Sequence, residues 1–276
     1  MHQLLSDTLI SETRAKRLGV RYGSTAFASH LAPRLLAHYD DRLYNRAGDM
    51  PVADAAKRYV IRPTQARPHL DGEWDSDVWS KADTATIDWF HPLSGKHHPE
   101  AQARALFSAE GLHIIFRVKD QYVRSVTTEY CGPVWKDACA EFFVQPRAGK
   151  GYFNLEMNCG GTFLLGYAEM QTNGEKKSER VPWELAARIE IFHSMPEKVD
   201  PEIAEPTEWR LEYFVPFAVF EKFVGPLGNV AGQTWRGNFY KCAENNSHPH
   251  WGAWSPVGTK LDFHQPDKFG EIVFEG

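Results

Sequence analysis

The segment Tyr152-Phe153-Asn154-Leu155-Glu156-Met157-Asn158 alternates side chains of two kinds, with Phe153, Leu155 and Met157 apolar and the residues between them polar. A period of two is typical of a β-strand that packs one face against a core and turns the other face away from it. Similar strand-like patterns recur in residues 112–118, 141–144, 187–191, 209–215 and 235–242. Glycine-containing segments at 110–111 and 148–151 lie between strand candidates, where hairpin turns are expected.

From residue 57 onward, helical periodicity is confined to residues 76–82 and 217–223. This scarcity excludes a βαβ architecture, which needs a crossover helix between successive parallel strands. We therefore predict an all-β fold, an antiparallel β-sandwich of the jelly-roll or immunoglobulin-like kind with few short helices. The proline-rich residues 196–206 are expected to form a long surface loop of that domain.

Residues 1–50 differ in composition from the rest of the chain. They hold seven basic residues, five acidic residues and no tryptophan, although the whole chain has nine tryptophans. Leucines and a tyrosine at helical spacing after Pro33 predict a short amphipathic helix. We predict a partly helical or disordered arm over residues 1–50 and the β-sandwich domain over residues 51–276. Residues 1–26 lack the apolar stretch of a secretory signal, so no export signal is visible.

Charge and hydropathy exclude two classes of partner. Lys and Arg total 31 against 36 Asp and Glu, and no basic run occurs, which excludes the footprint of a nucleic-acid-binding protein. No apolar run approaches the roughly 18 residues of a membrane helix, so we expect a soluble protein with no membrane partner. The four cysteines, which form no C-x-x-C pair, are expected to be free buried thiols: Cys131, Cys139, Cys159 and Cys242.

Three segments in a fixed order resemble a known family. They are Leu70-Asp71-Gly72-Glu73-Trp74 followed by Trp79, Val134-Trp135-Lys136-Asp137 leading into residues 141–144, and the closing residues 263–272, which contain Pro266-Asp267-Lys268-Phe269-Gly270. Over residues 57–274 the chain resembles the family nine carbohydrate-binding modules and the wider set of family-nine-like sugar-binding proteins.

That resemblance implies a non-catalytic β-sandwich without a catalytic cofactor, in which calcium is a structural guest in some members. It implies recognition of plant-type polysaccharides or oligosaccharides of the xylan or glucan kind, typically at chain ends. It also implies an extracellular or periplasmic location, and a separate glycoside hydrolase or a sensing role as the context of binding.

The resemblance also implies particular site residues. The family grips its sugar between two tryptophan faces, and the first of these corresponds to Trp135, with the family's glutamate at Glu141. The second aromatic position falls at Phe263, and an expected arginine falls at Asn154. Phenylalanine offers a smaller face than tryptophan, and asparagine lacks the charged set of donors of arginine.

The chemistry of a sugar points to further residues. A pyranose has C–H groups on its faces and hydroxyls around its rim, so a receptor needs flat aromatic surfaces and polar groups beside them. Trp251 and Trp254, in an irregular segment rich in His, Pro and Gly, can supply the missing aromatic face. Asn154, Glu156 and Asn158 point to one side of their strand and form a polar stripe.

Lys241 is a further candidate ligand for sugar hydroxyls. A salt bridge between Lys241 and a carboxylate at the edge of the core is equally compatible with the sequence. The remaining tryptophans in strand or turn patterns are predicted to pack in the core: Trp74, Trp79, Trp209 and Trp235.

Three alternatives stay open from the residues alone. The first is a haem-binding sandwich in which histidines ligate iron together with Met157, Met170 or Met195. The second is a glycoside-active enzyme that uses Glu141 and Glu156 as its two carboxylates. The third is a metal site, built either from His248, His250 and His264 or from the acidic run Asp71, Glu73, Asp75 and Asp77, for which packing, capping and turn roles are the alternatives.

Overall fold

The computed structural model describes residues 57–171 and 174–276. The arm predicted over residues 1–50 lies outside the described residues, and the boundary at residue 51 stays a prediction. The strands are β1 (Arg58–Pro63), β2 (Thr84–Ile87), β3 (Trp89–Phe90), β4 (Glu100–Phe107), β5 (Gly111–Asp120), β6 (Val123–Ser125), β7 (Cys139–Gln145), β8 (Tyr152–Asn158), β9 (Phe163–Met170), β10 (Lys176–Arg180), β11 (Glu190–His193), β12 (Val199–Ile203), β13 (Thr207–Pro216), β14 (Thr234–Ala243), β15 (His250–Ala253) and β16 (Gly270–Phe274). The described helices are α1 (Trp183–Ala186) and α2 (Phe217–Val224), with short 3₁₀ turns at Trp79–Lys81, Val134–Lys136 and Pro266–Lys268.

The strands form two main sheets that share one strand. The first sheet has the order β10-β9-β8-β7-β14-β16-β1, and the second has the order β1-β4-β5-β13-β11. Strand β1 pairs in parallel with β16 through Arg58–Ile61 and then with β4 through Arg62 and Pro63, so it passes from one sheet to the other. Strands β15 and β3 extend the first sheet beside β14, β2 lies against β4, and β12 pairs with β6.

The core lies between the two sheets. Phe239 of the first sheet packs against Phe116 of the second at 6.1 Å and against Tyr59 of the shared strand at 5.3 Å between ring centroids. Trp209 and Trp235 belong to this core, whereas Trp74 and Trp79 form a smaller buried cluster on the outer face of the second sheet. All four predicted core tryptophans are buried, and the predicted β-sandwich is confirmed.

The alternation of apolar and polar residues that predicted the strands also predicts correctly which face of β8 packs in the core. Strand β8 has the predicted bounds, and its residues Phe153, Leu155 and Met157 lie in the core between the sheets. Strands β5, β13 and β14 contain their predicted segments. The four cysteines are free and buried, as predicted.

Two sequence predictions differ from the structure. The strand expected over 187–191 begins only at Glu190, because α1 and the turn after it occupy the preceding residues. The loop expected over 196–206 contains β12, which pairs with β6 even though Pro201 lies within it. Proline is tolerated there because β12 pairs with one neighbour only, so its other edge needs no donor. No helix in the described part of the chain is long and apolar enough to cross a membrane.

The outer face of the first sheet, which points away from the core, is covered at one end and open at the other. At the covered end, the segment that follows β15 packs Val257 and Phe269 against Phe143, Tyr152 and Tyr240. The uncovered end lies over the start of β7, the second half of β8 and the end of β14. It is the place where polar side chains of these central strands meet half-buried aromatic ones.

Candidate functional site

Strand register brings the candidate polar residues together at the open end of the outer face, which we call the outer cleft. Glu141 on β7 pairs directly with Glu156 on β8, and on its other side with Tyr240 on β14. Cys242, two residues after Tyr240, pairs with Trp251 on β15. Because paired residues on adjacent strands project to the same face, all of these side chains point into the outer cleft.

Two glutamates form the floor of the cleft. Glu141 is 2% exposed and Glu156 is 4% exposed. The Cys242 thiol donates to Glu141 Oε1 at 3.0 Å, and Asn154 Nδ2 donates to Glu156 Oε1 at 2.7 Å. Within the described residues, the second oxygen of each carboxyl group receives no hydrogen bond and is not sealed from solvent. Each glutamate therefore keeps one acceptor for a ligand.

The electrostatics of this pair are unusual because no Lys, Arg or His among the described residues forms an ion pair with it. Burial raises the pKa of Glu141 well above its usual range, and the neighbouring Cys242 and Glu156 raise it further. Burial also raises the pKa of Glu156 to about 7; the hydrogen bond from Asn154 opposes this effect and Glu244 adds to it. Both carboxyl groups therefore hold their protons to a higher pH than an exposed glutamate does.

Two tryptophans stand beside the glutamates. Trp135 and Trp251 are half-buried and pack against the same small apolar cluster, which contains Cys139 and Cys242. Trp135 lies on the 3₁₀ turn Val134–Lys136, and its carbonyl oxygen is 3.3 Å from Cys242 Sγ. Trp251 donates its indole N–H to Glu244 Oε1 at 3.1 Å.

The aromatic side chains beside the glutamates differ in whether another ring of the protein stacks on them. In the described part of the chain, no ring contact joins Trp135 to Trp251, and neither indole stacks on another ring. Phe263, in contrast, stacks on Tyr240 with ring centroids 4.0 Å apart and an angle of 8° between planes. One face of Phe263 is thus covered by Tyr240, whereas neither indole has a ring partner in this part of the chain.

Asn158 holds the segment that carries Trp135 in place. Its Nδ2 donates to the Thr127 carbonyl at 2.9 Å and to Asp137 Oδ2 at 3.0 Å, and its Oδ1 accepts from the Thr162 backbone N–H at 2.9 Å. Asp137 directly follows the 3₁₀ turn of Trp135 and also accepts from the Thr127 backbone N–H. Both amide hydrogens of Asn158 are thus donated within the protein, which holds the turn of Trp135 against β8.

The structure does not bring two predicted site residues to the cleft. Lys241 projects from the opposite face of β14 and is fully buried, with Nζ 3.2 Å from Asp120 Oδ2 and 2.8 Å from His250 Nε2. This is the salt-bridge alternative that the sequence allowed. Its reason is strand parity, since Tyr240 and Cys242 on either side of Lys241 face the cleft.

Trp254 is the second of these residues. Its side chain is 5% exposed and packs against Tyr59 and Phe239, at 6.3 and 6.0 Å between ring centroids, inside the core. The segment that was expected to be irregular is strand β15, and at its end the Trp254 backbone N–H donates to the Phe239 carbonyl. This bond turns Trp254 inward and leaves Trp251 at the cleft.

Sequence reasoning missed several residues of the cleft. Tyr240, Glu244, Leu164 and both cysteines of the floor were not proposed as site residues, although Cys139 lies two residues before Glu141 on the same strand face. Cys139, Glu141 and Cys242 offer ligand atoms within 4.8 Å of one another, which is compatible with a metal ion. Burial raises the pKa of Cys139 to about 12, so a metal would have to displace thiol protons to bind.

The other metal and cofactor arrangements considered from the sequence do not assemble in the described residues. Asp71 accepts from the Glu73 backbone N–H in a turn, and Asp75 lies 3.8 Å from Arg117, so the acidic run disperses to different partners. His264 bonds the Tyr152 hydroxyl at the covered end of the outer face, on the other side of the first sheet from buried His250. Met157 lies in the core and Met170 is exposed on β9, so they do not converge on one iron site.

The model of carbohydrate-binding family 9 matches residues 77–274. No curated protein sequence matches the chain significantly. The structure of a proposed carbohydrate-binding protein from Bacteroides uniformis is similar, with a TM-score of 0.70 and 27% identity over 80% of this chain and 100% of that chain.

Two further structures share the fold at lower identity. Both are of a family 9 carbohydrate-binding module from Caldicellulosiruptor kristjanssonii, one in complex with cellotriose and one with glucose. Each has a TM-score of 0.51 over 80% of this chain, with 15% identity over 94% of the cellotriose complex and 14% identity over 96% of the glucose complex. Because the family model spans most of the sandwich, from the second sheet through the outer cleft to β16, this protein belongs to carbohydrate-binding family 9.

Proposed function

We propose that the outer cleft is where this protein binds carbohydrate, and that it binds one sugar unit of a xylan- or glucan-type chain end between Trp135 and Trp251. The carrying observation is the Glu141–Glu156 pair, which presents two free carboxyl oxygens between two indoles whose faces have no ring partner in the described residues. Indole faces suit the C–H faces of a pyranose. The carboxyl oxygens and the Asn154 amide suit its hydroxyls.

Family membership supports this proposal from a second direction. The Caldicellulosiruptor module of the same family was solved with cellotriose and with glucose, which are β-glucan-type ligands. We extend that ligand class to this chain as part of the proposal. A separate glycoside hydrolase remains the partner expected from the resemblance.

We further propose that binding occurs without catalysis. A retaining glycosidase needs one ionised carboxylate as nucleophile and one protonated carboxyl as acid, about 5–5.5 Å apart. Register does bring Glu141 and Glu156 face to face, which favours the enzyme alternative. The pKa values of both glutamates are raised, whereas this mechanism needs one carboxyl group that stays ionised as the nucleophile, and this argues against the enzyme alternative.

The test is isothermal titration of the full chain with xylo-, cello- and galacto-oligosaccharides. Trp135→Ala and Trp251→Ala are expected to weaken binding about tenfold or more, since each removes one stacking face. Trp183→Ala is the matched control, because Trp183 is 55% exposed on α1 and packs against Tyr130 away from the glutamates. Binding that survives both cleft variants would contradict this location.

A panel of chromogenic glycosides tests the absence of catalysis in the same preparations. We expect no turnover by the wild-type chain. Turnover that Glu141→Gln or Glu156→Gln removes would establish the enzyme alternative instead.

A further inference from the structure

We infer that the outer cleft selects a sugar that carries a positively charged amino group, a glucosamine-type unit rather than the neutral glucose unit. This inference deepens the proposed function and rests on carbohydrate binding at the same cleft. It starts from the two glutamates of the floor, which have no ion-pair partner among the described residues.

The lack of an ion-pair partner is visible at both glutamates. Glu141 and Glu156 are more than nine-tenths buried and directly opposite each other, yet neither forms an ion pair with a Lys, Arg or His side chain among the described residues. Buried acids are ordinarily paired, because an uncompensated buried charge is costly. Lys241 lies below them on the far face of β14 and is committed to Asp120. The missing positive charge must therefore come from a proton or from the ligand.

A third acid extends the same pattern to the rim of the cleft. Glu244 is exposed, accepts a hydrogen bond from the Trp251 indole N–H, and acts on both Glu141 and Glu156 by raising their pKa values. Three carboxyl groups thus lie around the available aromatic surfaces. An ammonium group can form ion pairs with these carboxyl groups and favours their ionised form, whereas a neutral sugar does neither.

The donor count of an ammonium group matches the free acceptors. A protonated amine has three N–H donors, and each of Glu141 and Glu156 keeps one oxygen without a donor in the described part of the chain. Hydrogen bonds between charged partners are stronger than those between neutral ones. One ammonium group can therefore donate to both oxygens, for which a neutral sugar needs two separate hydroxyls.

The aromatic walls favour the same ligand. Tryptophan faces attract cations, and the attraction grows when the cation is withdrawn from water. Trp135 and Trp251 border the glutamates within one small cluster. A glucosamine ring can stack its C–H face on an indole and at the same time present its amino group to the two glutamates. One sugar unit can thus contact both the tryptophans and the carboxyl groups of the cleft.

The chemistry separates glucosamine from its close relatives. A β-1,4-linked glucosamine trimer differs from cellotriose only in the group at carbon 2 of each ring. The N-acetylated trimer keeps the nitrogen but loses the charge. These three oligosaccharides therefore isolate the amino charge as the variable.

The experiment is isothermal titration of the full chain with these three trimers at about pH 6.5, where the free amine is largely protonated. We expect the glucosamine trimer to bind at least about tenfold more tightly than cellotriose, and the N-acetylated trimer not to share that gain. The affinity ratio of glucosamine trimer to cellotriose is expected to fall towards one in Glu156→Gln and in Glu141→Gln. Glu184→Gln, a change of an exposed glutamate on α1, is the matched control and is expected to keep the ratio.

Each of the other outcomes would contradict one specific claim. Cellotriose binding with no preference for the glucosamine trimer overturns the inference and leaves the proposed function standing. A preference that persists in the Glu141→Gln, Glu156→Gln double variant overturns the assignment of that preference to this pair. If neither cellotriose nor the glucosamine trimer binds, the inference is overturned, and the proposed function is overturned with it when xylo-oligosaccharides do not bind either. Choline that binds as tightly as the glucosamine trimer overturns the requirement for a sugar.

Far-ultraviolet circular dichroism confirms that each glutamine variant is folded. Glu244→Gln, at an exposed position, supplies a second charge variant that leaves Glu141 and Glu156 unchanged.

Discussion

The two faces of β14 carry buried ionisable groups that are satisfied in opposite ways. On the inner face, the Lys241 ammonium lies 3.2 Å from Asp120 Oδ2 and 2.8 Å from His250 Nε2, so a cation meets an anion and a neutral acceptor. On the outer face, Glu141 meets Glu156, and no cation among the described residues accompanies them. The first arrangement is complete within the protein. The second is complete only with a proton or a ligand.

The pKa directions express the same difference. Nearby Lys241 and the hydrogen bond from His97 hold the pKa of Asp120 well below its usual range, in spite of burial. Burial lowers the pKa of His250 to about 3, with the charge of Lys241 adding to the effect, so His250 stays neutral. At Glu141 and Glu156, burial raises the pKa, and at Glu156 the hydrogen bond from Asn154 opposes only part of this effect. The buried groups of the inner face are thus paired within the protein, and the unpaired carboxyl groups of the outer face are those that we propose to meet a ligand.

Breaking the inner pair should have the largest effect. Lys241→Met leaves Asp120 buried without its ammonium partner, and we expect the free energy of unfolding to fall by about 3–5 kcal/mol. Urea denaturation measures this fall in the free energy of unfolding. The double change Lys241→Met, Asp120→Leu should recover part of this loss, because an apolar pair leaves no charge uncompensated. A loss under about 1 kcal/mol in the single variant would show that the pair is not the constraint we describe.

The two neighbouring tryptophans should separate stability from binding. Trp254→Ala opens a cavity beside Tyr59 and Phe239 in the core, and we expect the free energy of unfolding to fall by about 3–5 kcal/mol. Trp251→Ala, at a half-buried position three residues earlier, should cost less stability and instead weaken sugar binding. Thermal unfolding and titration of both variants measure the contrast. Equal effects on both quantities would refute the division between core and cleft.

The comparison also shows how far the sequence alone can lead. The period of two in residues 152–158 placed Asn154, Glu156 and Asn158 on one face before any register was known, and the structure has them there. The same parity applied to β14 separates Lys241 from Tyr240 and Cys242. Parity does not tell which face of that strand is the core, because a long charged side chain is expected outside unless a buried partner such as Asp120 is known.

What escaped prediction was long-range. Glu141 and Glu156 become a pair only through the register between β7 and β8, and Trp251 reaches them only because β15 pairs with β14. The choice between Trp251 and Trp254 depended on where β15 ends, and strand ends are poorly determined by local patterns. Asn158 was predicted among the sugar-binding residues, but its partners Thr127 and Asp137 are far from it in sequence.

The dependence of stability on pH is a further test of the difference between the two faces of β14. Glu156 has a pKa of about 7 in the folded chain against an ordinary value of 4.5, so the folded state holds this proton more tightly than the unfolded state does. Its contribution is complete below about pH 4.5 and is lost as the pH rises to about 7, an effect of about 3 kcal/mol. The raised pKa of Glu141 acts in the same direction.

Urea denaturation at a series of pH values measures this slope. Glu156→Gln, which cannot ionise, should flatten it between about pH 4.5 and 7. Asp120, whose pKa is lowered, has the opposite sign and acts only at more acidic pH, so the inner pair does not mask the result. An unchanged slope in Glu156→Gln would place the titrating group elsewhere.

The smallest effect concerns how the outer cleft is held in shape. Asn158→Ala removes the amide that ties Thr127, Asp137 and Thr162 together, and we expect sugar affinity to fall about fivefold because the turn carrying Trp135 loses its anchor. If Asn158 acts through Trp135, the same change should have almost no effect on affinity in a Trp135→Ala background, and a double-mutant cycle measures this directly. If Asn158 instead bonded the sugar itself, the fivefold loss would persist in that background, and the distinction between positioning and contact residues in the cleft would fail.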